Sequence, residues 1–296
     1  MLTEFIEPSV ELIDITDPLK KIELCGRVCY KSEDKITEDS AKRMIKALIN
    51  SGHHSVLEHF QIVLRQEKAE TMFDTYIVDK NISLEYRKHF MKYLDIFPNY
   101  VRGNVRAWRN VLQFYPQYVS VFKQKFPVLF DDLESFLPEN QTDFVVDPDC
   151  LEHSDDYMTV RIITNRGVTH EIVRHRVFSF SQESTRYVNY KGKPIKFVIP
   201  KGFDWAETQH SPKFLTWRNA CSRCSIDYTN MIEAGMKPQE ARDVLNNSVK
   251  TEIIMTGNIF DWMSFFNLRC DKNTVHPEMY HVAMLIRKKF EEKFGF

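Results

Sequence analysis

The sequence predicts a mixed fold, α+β or α/β, in which helix predominates. Three observations carry this reading. Several segments set apolar residues at helical spacing behind recognisable caps; a few short segments alternate along a strand-like period; and neither an internal repeat nor a low-complexity tract organises the chain. The 296 residues correspond to one large domain or to two of ordinary size. Hydrophobic residues make up 43% and charged residues 27%, a globular balance that excludes an intrinsically disordered chain. Nine glycines and 12 prolines are too few for a collagenous or linker protein.

The first helix is expected after Asp17, a good N-cap, with Pro18 at a position where its missing N–H costs nothing. Leu19, Ile22, Cys25, Val28 and Cys29 then recur on one face. A second helix follows Thr37, buries Ala41, Met44, Ile45, Leu48 and Ile49, and ends at Gly52. Ser55 and Glu58 have capping-box spacing, and Phe60, Ile62 and Leu64 alternate as a strand would. Residues 66–157 are less regular, with short helical patterns around Asn104–Tyr115. From Asp131 to Asp156 there are ten acidic residues and no Lys or Arg, read as an inserted, solvated acidic surface region rather than a docking site.

Regularity returns with an alternating strand from Met158 to Ile163. Thr164-Asn165 offers an N-cap for a short helix from Arg166 to about Arg176, and Lys196–Ile199 is a second strand closed by Pro200. A long helix over about Ser211–Ala234 packs through Phe214, Trp217, Ala220, Cys221, Cys224 and Tyr228, and Gly235 ends it. Pro238 opens the next, with Ala241, Arg242, Val244 and Leu245. Thr251–Met255 reads either as strand or as continued helix. Asn258 precedes a helix ending near Arg269, and a last one from about Pro277 uses Met279, Val282, Ala283, Ile286 and Phe290.

A formal net charge of −1 gives no bulk attraction to nucleic acid or acidic lipid, so an anion site must come from local clustering. No apolar run approaches the roughly 20 residues of a membrane span. The start, Met1–Phe5, lacks a signal peptide's basic and apolar parts, and a cytoplasmic location is expected. The six cysteines are then expected to be reduced. Cys221 and Cys224 form a lone C-x-x-C inside a helical pattern, without the two further ligands of a zinc site, and read as packing residues. No metal site is expected.

The informative stretch is Arg174-His175-Arg176-Val177-Phe178-Ser179-Phe180-Ser181-Gln182-Glu183-Ser184-Thr185-Arg186-Tyr187. Three arginines and a histidine stand within 13 positions, against the single carboxylate Glu183. Arginine offers a planar fork of donors matched to phosphate or carboxylate, and the hydroxyls add short donors. A solvated basic helix end is one reading. Single-stranded RNA binding is another, with Phe178, Phe180, Tyr187 and Tyr190 as stacking platforms, weakened by the lack of wider basicity. A pocket for a phosphorylated small molecule is the third.

The stretch resembles the signature of flavin-dependent thymidylate synthases: Arg-His-Arg, two residues, Ser, one residue, Asn or Ser, Glu or Gln, one residue, Ser, one residue, Arg. Arg174, His175, Arg176, Ser179, Ser181, Gln182, Ser184 and Arg186 match every fixed position. Further elements are similar to that family's: Gly52-His53-x-Ser55-x-x-Glu58-His59, Asn104-x-Arg106-Ala107-Trp108, Ala241-Arg242-x-Val244-Leu245 and Asn267-Leu268-Arg269. Ser181 and Gln182 stand where many members carry Asn and Glu, and Asn246 where a Pro often follows.

The resemblance implies a single α+β domain over 1–296, helix-rich around a small, mostly antiparallel sheet, with an insertion at about 66–157. It implies methylation of dUMP to dTMP with methylenetetrahydrofolate as carbon donor and NADPH as reductant through bound FAD, without a cysteine nucleophile. It also implies a homotetramer whose active sites form where subunits meet, with no nucleic-acid or membrane partner. By motif position, Arg186 is the catalytic residue acting on the uracil ring. Glu171, Arg174, Ser184, Thr185, Arg186, Arg242 and Arg269 are assigned to dUMP, with Arg242 toward the phosphate. His53, Ser55, Arg174, His175, Arg176, Gln182, Asn258 and Ser264 are assigned to FAD. Another FAD-dependent uracil methyltransferase and a non-enzymatic pyrimidine-nucleotide or RNA-binding module are the alternatives.

Overall fold

The computed structural model describes residues 3–66, 94–97, 100–114, 116–135, 144–147, 156–201 and 210–295. They fall into two compact units. The first comprises Met1–Asp14, Arg27–Asp34 and Met158–Phe296, the second Ile15–Gly26 and Lys35–Tyr157.

The first unit is built on a four-stranded sheet of order β2-β7-β10-β8 and a two-stranded sheet β1-β9. The strands are β1 (Thr3–Ile6), β2 (Ser9–Leu12), β7 (Tyr157–Asn165), β8 (Ser179–Gln182), β9 (Ile195–Val198) and β10 (Lys250–Asn258). β2 pairs antiparallel with β7 and β8 antiparallel with β10, while β1 and β9 are parallel. Contacts at the two ends, Thr159 to Thr256 and Arg166 to Val249, make β7 and β10 antiparallel as well. β1, β2 and β8 are four residues each and were not expected from the sequence, although Ser9-Val10-Glu11-Leu12 of β2 alternates. The open choice at Thr251–Met255 resolves as strand: β10 is buried at eight of its nine positions. Its β-branched Thr251, Ile253, Ile254 and Thr256 suit an extended centre of a sheet.

Helices Arg166–Ile172, Ile259–Arg269 and Pro277–Phe294 supply the main core of this unit. All five apolar residues expected of the last helix are buried. Trp262 stands in the middle, its ring 4.8 Å from Phe178 and 5.1 Å from Phe290, its N–H donating to the Met158 carbonyl at 3.2 Å. Phe178 can lie there because residue 257 is glycine: a Cβ would come within 2.3 Å of its ring. Asn165, Ser211 and Asn258 cap their helices through side-chain oxygens; of the expected pair Thr164-Asn165, it is Asn165 that caps.

The helix Pro212–Glu233 packs through Phe214, Cys221, Ser225, Tyr228 and Ile232. Ala220, placed in the stripe by sequence, is exposed, and Ser225 takes the inner position because it lies one turn after Cys221. Cys221 is a core residue whose thiol burial pushes up to about 11. The helix opened by Pro238 is a single turn, Pro238–Ala241, continued as the 3₁₀ turn Arg242–Val244.

The second unit contains the sheet β4-β5-β3-β6, antiparallel throughout, from β3 (Gln61–Gln66), β4 (Leu94–Phe97), β5 (Tyr100–Asn104) and β6 (Phe144–Asp147). Helix Ser40–Asn50 buries Ala41, Ile45, Leu48 and Ile49, and Gly52 leaves it with φ of 73°. The Ser55–Glu58 capping box does not form. His54–His59 is a 3₁₀ helix with Ser55 inside it and exposed, and Glu58 instead pairs with Arg106 at 2.6 Å. The acidic region is not wholly solvated either. Asp132 holds the buried Arg109 at 2.6 Å, and Asp156 joins Asp95 on the buried Arg102 at 3.2 and 3.0 Å. The Arg109 hydrogen bond draws the Asp132 carboxyl below its ordinary pKa.

Candidate functional site

The arginine-rich stretch is a turn, a strand and a turn, all within the first unit. The helix that begins at Arg166 stops at Ile172 rather than reaching Arg176. Turn hydrogen bonds take over, from Arg174 N–H to Glu171 and from His175 N–H to Ile172, at 3.2 and 3.1 Å. Ser179–Gln182, which the sequence reading did not place in a strand, is β8, in register with Ile253–Thr256 of β10. Beyond it, the Ser184 N–H donates to the Cys29 carbonyl at 2.9 Å, and the N–H groups of Tyr187 and Val188 turn back onto the Ser184 carbonyl.

This path divides the side chains. Arg174, Arg176 and Arg186 are exposed, and none pairs with a carboxylate among the described residues. Arg186 lies over the Tyr187 ring at 5.4 Å, and Tyr187 packs against Tyr30 at 5.3 Å. Ser184 is half-buried, its hydroxyl oxygen accepting from the Arg186 N–H at 3.3 Å, and Thr185 is buried. The Gln182 amide donates to Thr169 and Thr251 hydroxyls at 2.9 and 3.2 Å, tying β8 to the adjoining helix and strand.

His175 turns inward. Its ring meets Phe265 edge-on at 4.9 Å, and Arg269 donates to its Nε2 at 2.9 Å. Arg269 also donates to the Glu171 carboxylate at 3.1 Å, so Glu171, His175 and Arg269 form one cluster. A guanidinium only donates, so Nε2 must accept and the imidazole proton sits on Nδ1. Burial and the Arg269 charge lower the His175 pKa to about 4. His175 therefore brings a neutral donor, not a positive charge, to the stretch. Its NMR resonances should stay those of the neutral Nδ1–H form between about pH 5 and 8, and Arg269→Gln should raise its midpoint; titration near the ordinary 6.5 in the unaltered protein would refute this arrangement.

The other expected residues lie in several places. Arg242 is half-buried, with the Asp243 carboxylate 3.8 Å away. Asn258 uses its carbonyl to cap the helix that ends at Arg269, and Ser264 is exposed on that helix. His53 and Ser55 belong to the second unit, at the start of its 3₁₀ helix.

Sequence reasoning missed a buried ionic network behind the second turn. Lys250 binds Glu183 at 2.8 Å and also Glu252; Lys31 and Arg161 bind Glu252 and Glu33. Burial opposes ionisation of Glu252, but Lys250, Lys31 and Arg161 outweigh it and hold the carboxyl at about 2. Tyr190 donates to Glu183 at 3.0 Å. The available signal was Lys250-x-Glu252 leading into the apolar run Ile253–Met255, a spacing that puts both on one face of a strand. Beside this network lies a cavity of about 430 Å³ lined by Tyr30, Lys31, Tyr187, Tyr190, Lys193 and Lys250, within the size range of small-molecule sites.

Exposed guanidinium groups on a turn-strand-turn frame present planar donor forks of the kind that match phosphate or carboxylate oxygens. The family model described as "Thymidylate synthase complementing protein" (Thy1) matches residues 11–97 and 148–294, and the chain belongs to that family. A flavin-dependent thymidylate synthase of Geobacter sulfurreducens is 33% identical over 120 residues, 40% of this chain and 50% of that protein. That of Pyrococcus horikoshii is 34% identical over 111 residues, 36% and 44% of the two chains, and that of Mycobacterium tuberculosis 31% over 134 residues, 42% and 52%. The matches thus span about half the length of these relatives. Among solved structures, the UMP/dUMP methylase PolB from Streptomyces cacaoi aligns over 98% of this chain and 92% of its own, at 17% identity and a TM-score of 0.43. No described helix is long and apolar enough to cross a membrane.

Proposed function

We propose that this protein is a flavin-dependent thymidylate synthase. It methylates dUMP to dTMP, taking the carbon from methylenetetrahydrofolate and the electrons from NADPH through FAD. The observation that carries the proposal is the complete Arg174–Arg186 signature on a frame that leaves Arg174, Arg176 and Arg186 exposed without carboxylate partners among the described residues. The family match and the names of the relatives support it.

The donor set suits FAD. Arg174 and Arg176 offer forks matched to its pyrophosphate, and the Nδ1–H of His175 adds a neutral donor. Gln182, its amide already bonded to Thr169 and Thr251, holds the frame, and His53, Ser55, Asn258 and Ser264 are assigned to FAD by motif position alone. Bound flavin supplies the hydride-transfer chemistry. The chain's own part is positional and electrostatic. Arg186 stabilises charge developing on a uracil oxygen, and Glu171, held by Arg269, orients the nucleotide. Arg174, Ser184, Thr185 and Arg269 complete the nucleotide contacts, and Arg242 takes the phosphate. No cysteine stands in the signature, which suits a route without a covalent thiol.

The chain acts as one catalytic domain, and a family match that enters both compact units supports this; the expected insertion at about 66–157 has that support only over 98–147, the stretch between the two matched segments. The working form is a cytoplasmic homotetramer with active sites completed at subunit contacts. A visible absorption spectrum of the purified protein, supplied with FAD and then titrated with dUMP, tests the proposal. Flavin bands that shift on adding dUMP, followed by turnover dependent on methylenetetrahydrofolate, are expected. Protein that stays colourless after FAD is supplied would overturn it, and dUMP methylation without folate would indicate a different uracil methyltransferase.

A further inference from the structure

Arg166 is a cation to which neither the fold nor the proposed chemistry gives a role. It opens the helix Arg166–Ile172. Its backbone N–H donates to the Val249 carbonyl at 3.1 Å and that of Gly167 to the Asn247 carbonyl at 3.2 Å. These bonds fasten the start of the helix to the turn that follows Arg242–Val244. The Arg166 side chain is partly buried, and its Nη1 is shielded from solvent with no hydrogen-bond partner. Glu183 is near enough to attract it, but that carboxylate is already bonded to Lys250 at 2.8 Å and Tyr190 at 3.0 Å. Arg242 is near enough to repel it and, among the described residues, has only the 3.8 Å approach of Asp243 to offset its own charge. Burial, with the Arg242 charge adding to it, pulls the Arg166 pKa below its ordinary value.

A buried, unsatisfied charged donor is costly, and a second guanidinium beside it adds to the cost. An anion with several acceptor oxygens between the two removes both penalties, and a phosphate dianion has the charge and the geometry for two forks. We infer that Arg166 and Arg242 clamp the 5′-phosphate of the nucleotide substrate, Arg166 from the protein interior and Arg242 from the solvent side. The inference rests on the proposed nucleotide chemistry and adds a specificity-determining residue to it. Arg166 distinguishes a nucleoside monophosphate from the nucleoside and from uracil.

The test is calorimetric binding of dUMP and of deoxyuridine to FAD-loaded protein, unaltered and carrying Arg166→Gln or Arg166→Lys, with thermal unfolding of each. Arg166→Gln should weaken dUMP about 10- to 100-fold, the loss of one or two charge-assisted hydrogen bonds, and leave deoxyuridine unchanged. Arg166→Lys should recover only part of the affinity, because Lys keeps the charge and loses the fork. The ligand-free melting temperature of Arg166→Gln should be equal or higher, since a shielded donor without a hydrogen-bond partner and the repulsion from Arg242 have gone. dUMP affinity within twofold of the unaltered protein, or equal losses for both ligands, would overturn the clamp. Failure of the unaltered protein to bind dUMP would sink the proposed function instead. The clamp is then decided with inorganic phosphate: stabilisation against heat that Arg166→Gln abolishes supports it, and an equal effect on both proteins overturns it.

Discussion

Arg186→Ala should lower the rate of dTMP formation about 10²- to 10³-fold, the usual loss on removing a donor aimed at developing negative charge. The flavin should remain bound, since Arg174 and Arg176 occupy a different turn. Local geometry makes the expectation specific. Arg186 follows a turn fixed by the Ser184 to Cys29 bond at 2.9 Å, and its guanidinium rests on the Tyr187 ring with no carboxylate among the described residues to compete for it. The charge is thus held in place but electrostatically available. If Arg186 acts mainly when charge develops on the uracil, kcat should fall far more than KM rises. Arg186→Lys should recover little, because a point charge does not reproduce a planar fork. Steady-state assay of FAD-loaded protein decides the matter; turnover within a few-fold of the unaltered enzyme would remove Arg186 from the chemistry.

Lys250→Met should destabilise the protein by about 3–5 kcal/mol, the cost of stranding a buried partner charge. Side-chain exposure is 9% for Lys250, 2% for Glu183 and 4% for Glu252, so little water reaches the carboxylates left behind. Glu252 keeps Lys31 and Arg161, whereas Glu183 loses its hydrogen-bonded cation. Glu183→Gln introduced with Lys250→Met should restore much of the loss.

The same network gives a pH dependence with a definite sign. The Glu252 carboxyl, at about 2, lies below its ordinary value of 4.5, so the folded state prefers it ionised. Its contribution is complete above about pH 4.5 and disappears as pH falls toward 2. Urea unfolding at pH 7 and pH 3 measures both effects. Equal stability of Lys250→Met and the unaltered protein at pH 7 would show that the network is not a brace. Because the Glu183 N–H continues the β8–β10 pairing onto the Glu252 carbonyl at 2.8 Å, a loosened network should also lower activity through the Ser184–Arg186 turn.

Much of the local structure was legible because it depends on residues near in sequence. Asp17 and Asn165 announce helix starts because a short side-chain acceptor two or three residues upstream satisfies N–H groups that the helix leaves open. The last helix reads directly from Met279, Val282, Ala283, Ile286 and Phe290, since one face meets one core. Ser55 and Glu58 show the limit: their spacing fits a capping box, but the segment is 3₁₀ and Glu58 goes to Arg106. The strand β8 escaped for a related reason. Ser-Phe-Ser-Gln lacks an apolar pattern, and it is extended because β10 supplies its hydrogen bonds from about 70 residues away.

The sequence by itself determined the order of most elements, the near-neutral charge and the cluster of arginines that marks the site. These follow from short-range periodicity, capping chemistry and residue type. Only the tertiary structure decided that His175 faces inward as a neutral acceptor of Arg269, that Phe178 rests on Gly257, and that Lys250 and Glu183 bury their charges against each other. It alone brought Arg166 beside Arg242. The physical reason is common to all four. Desolvation, steric fit and Coulomb interaction depend on distance in space, and each pair joins residues far apart along the chain.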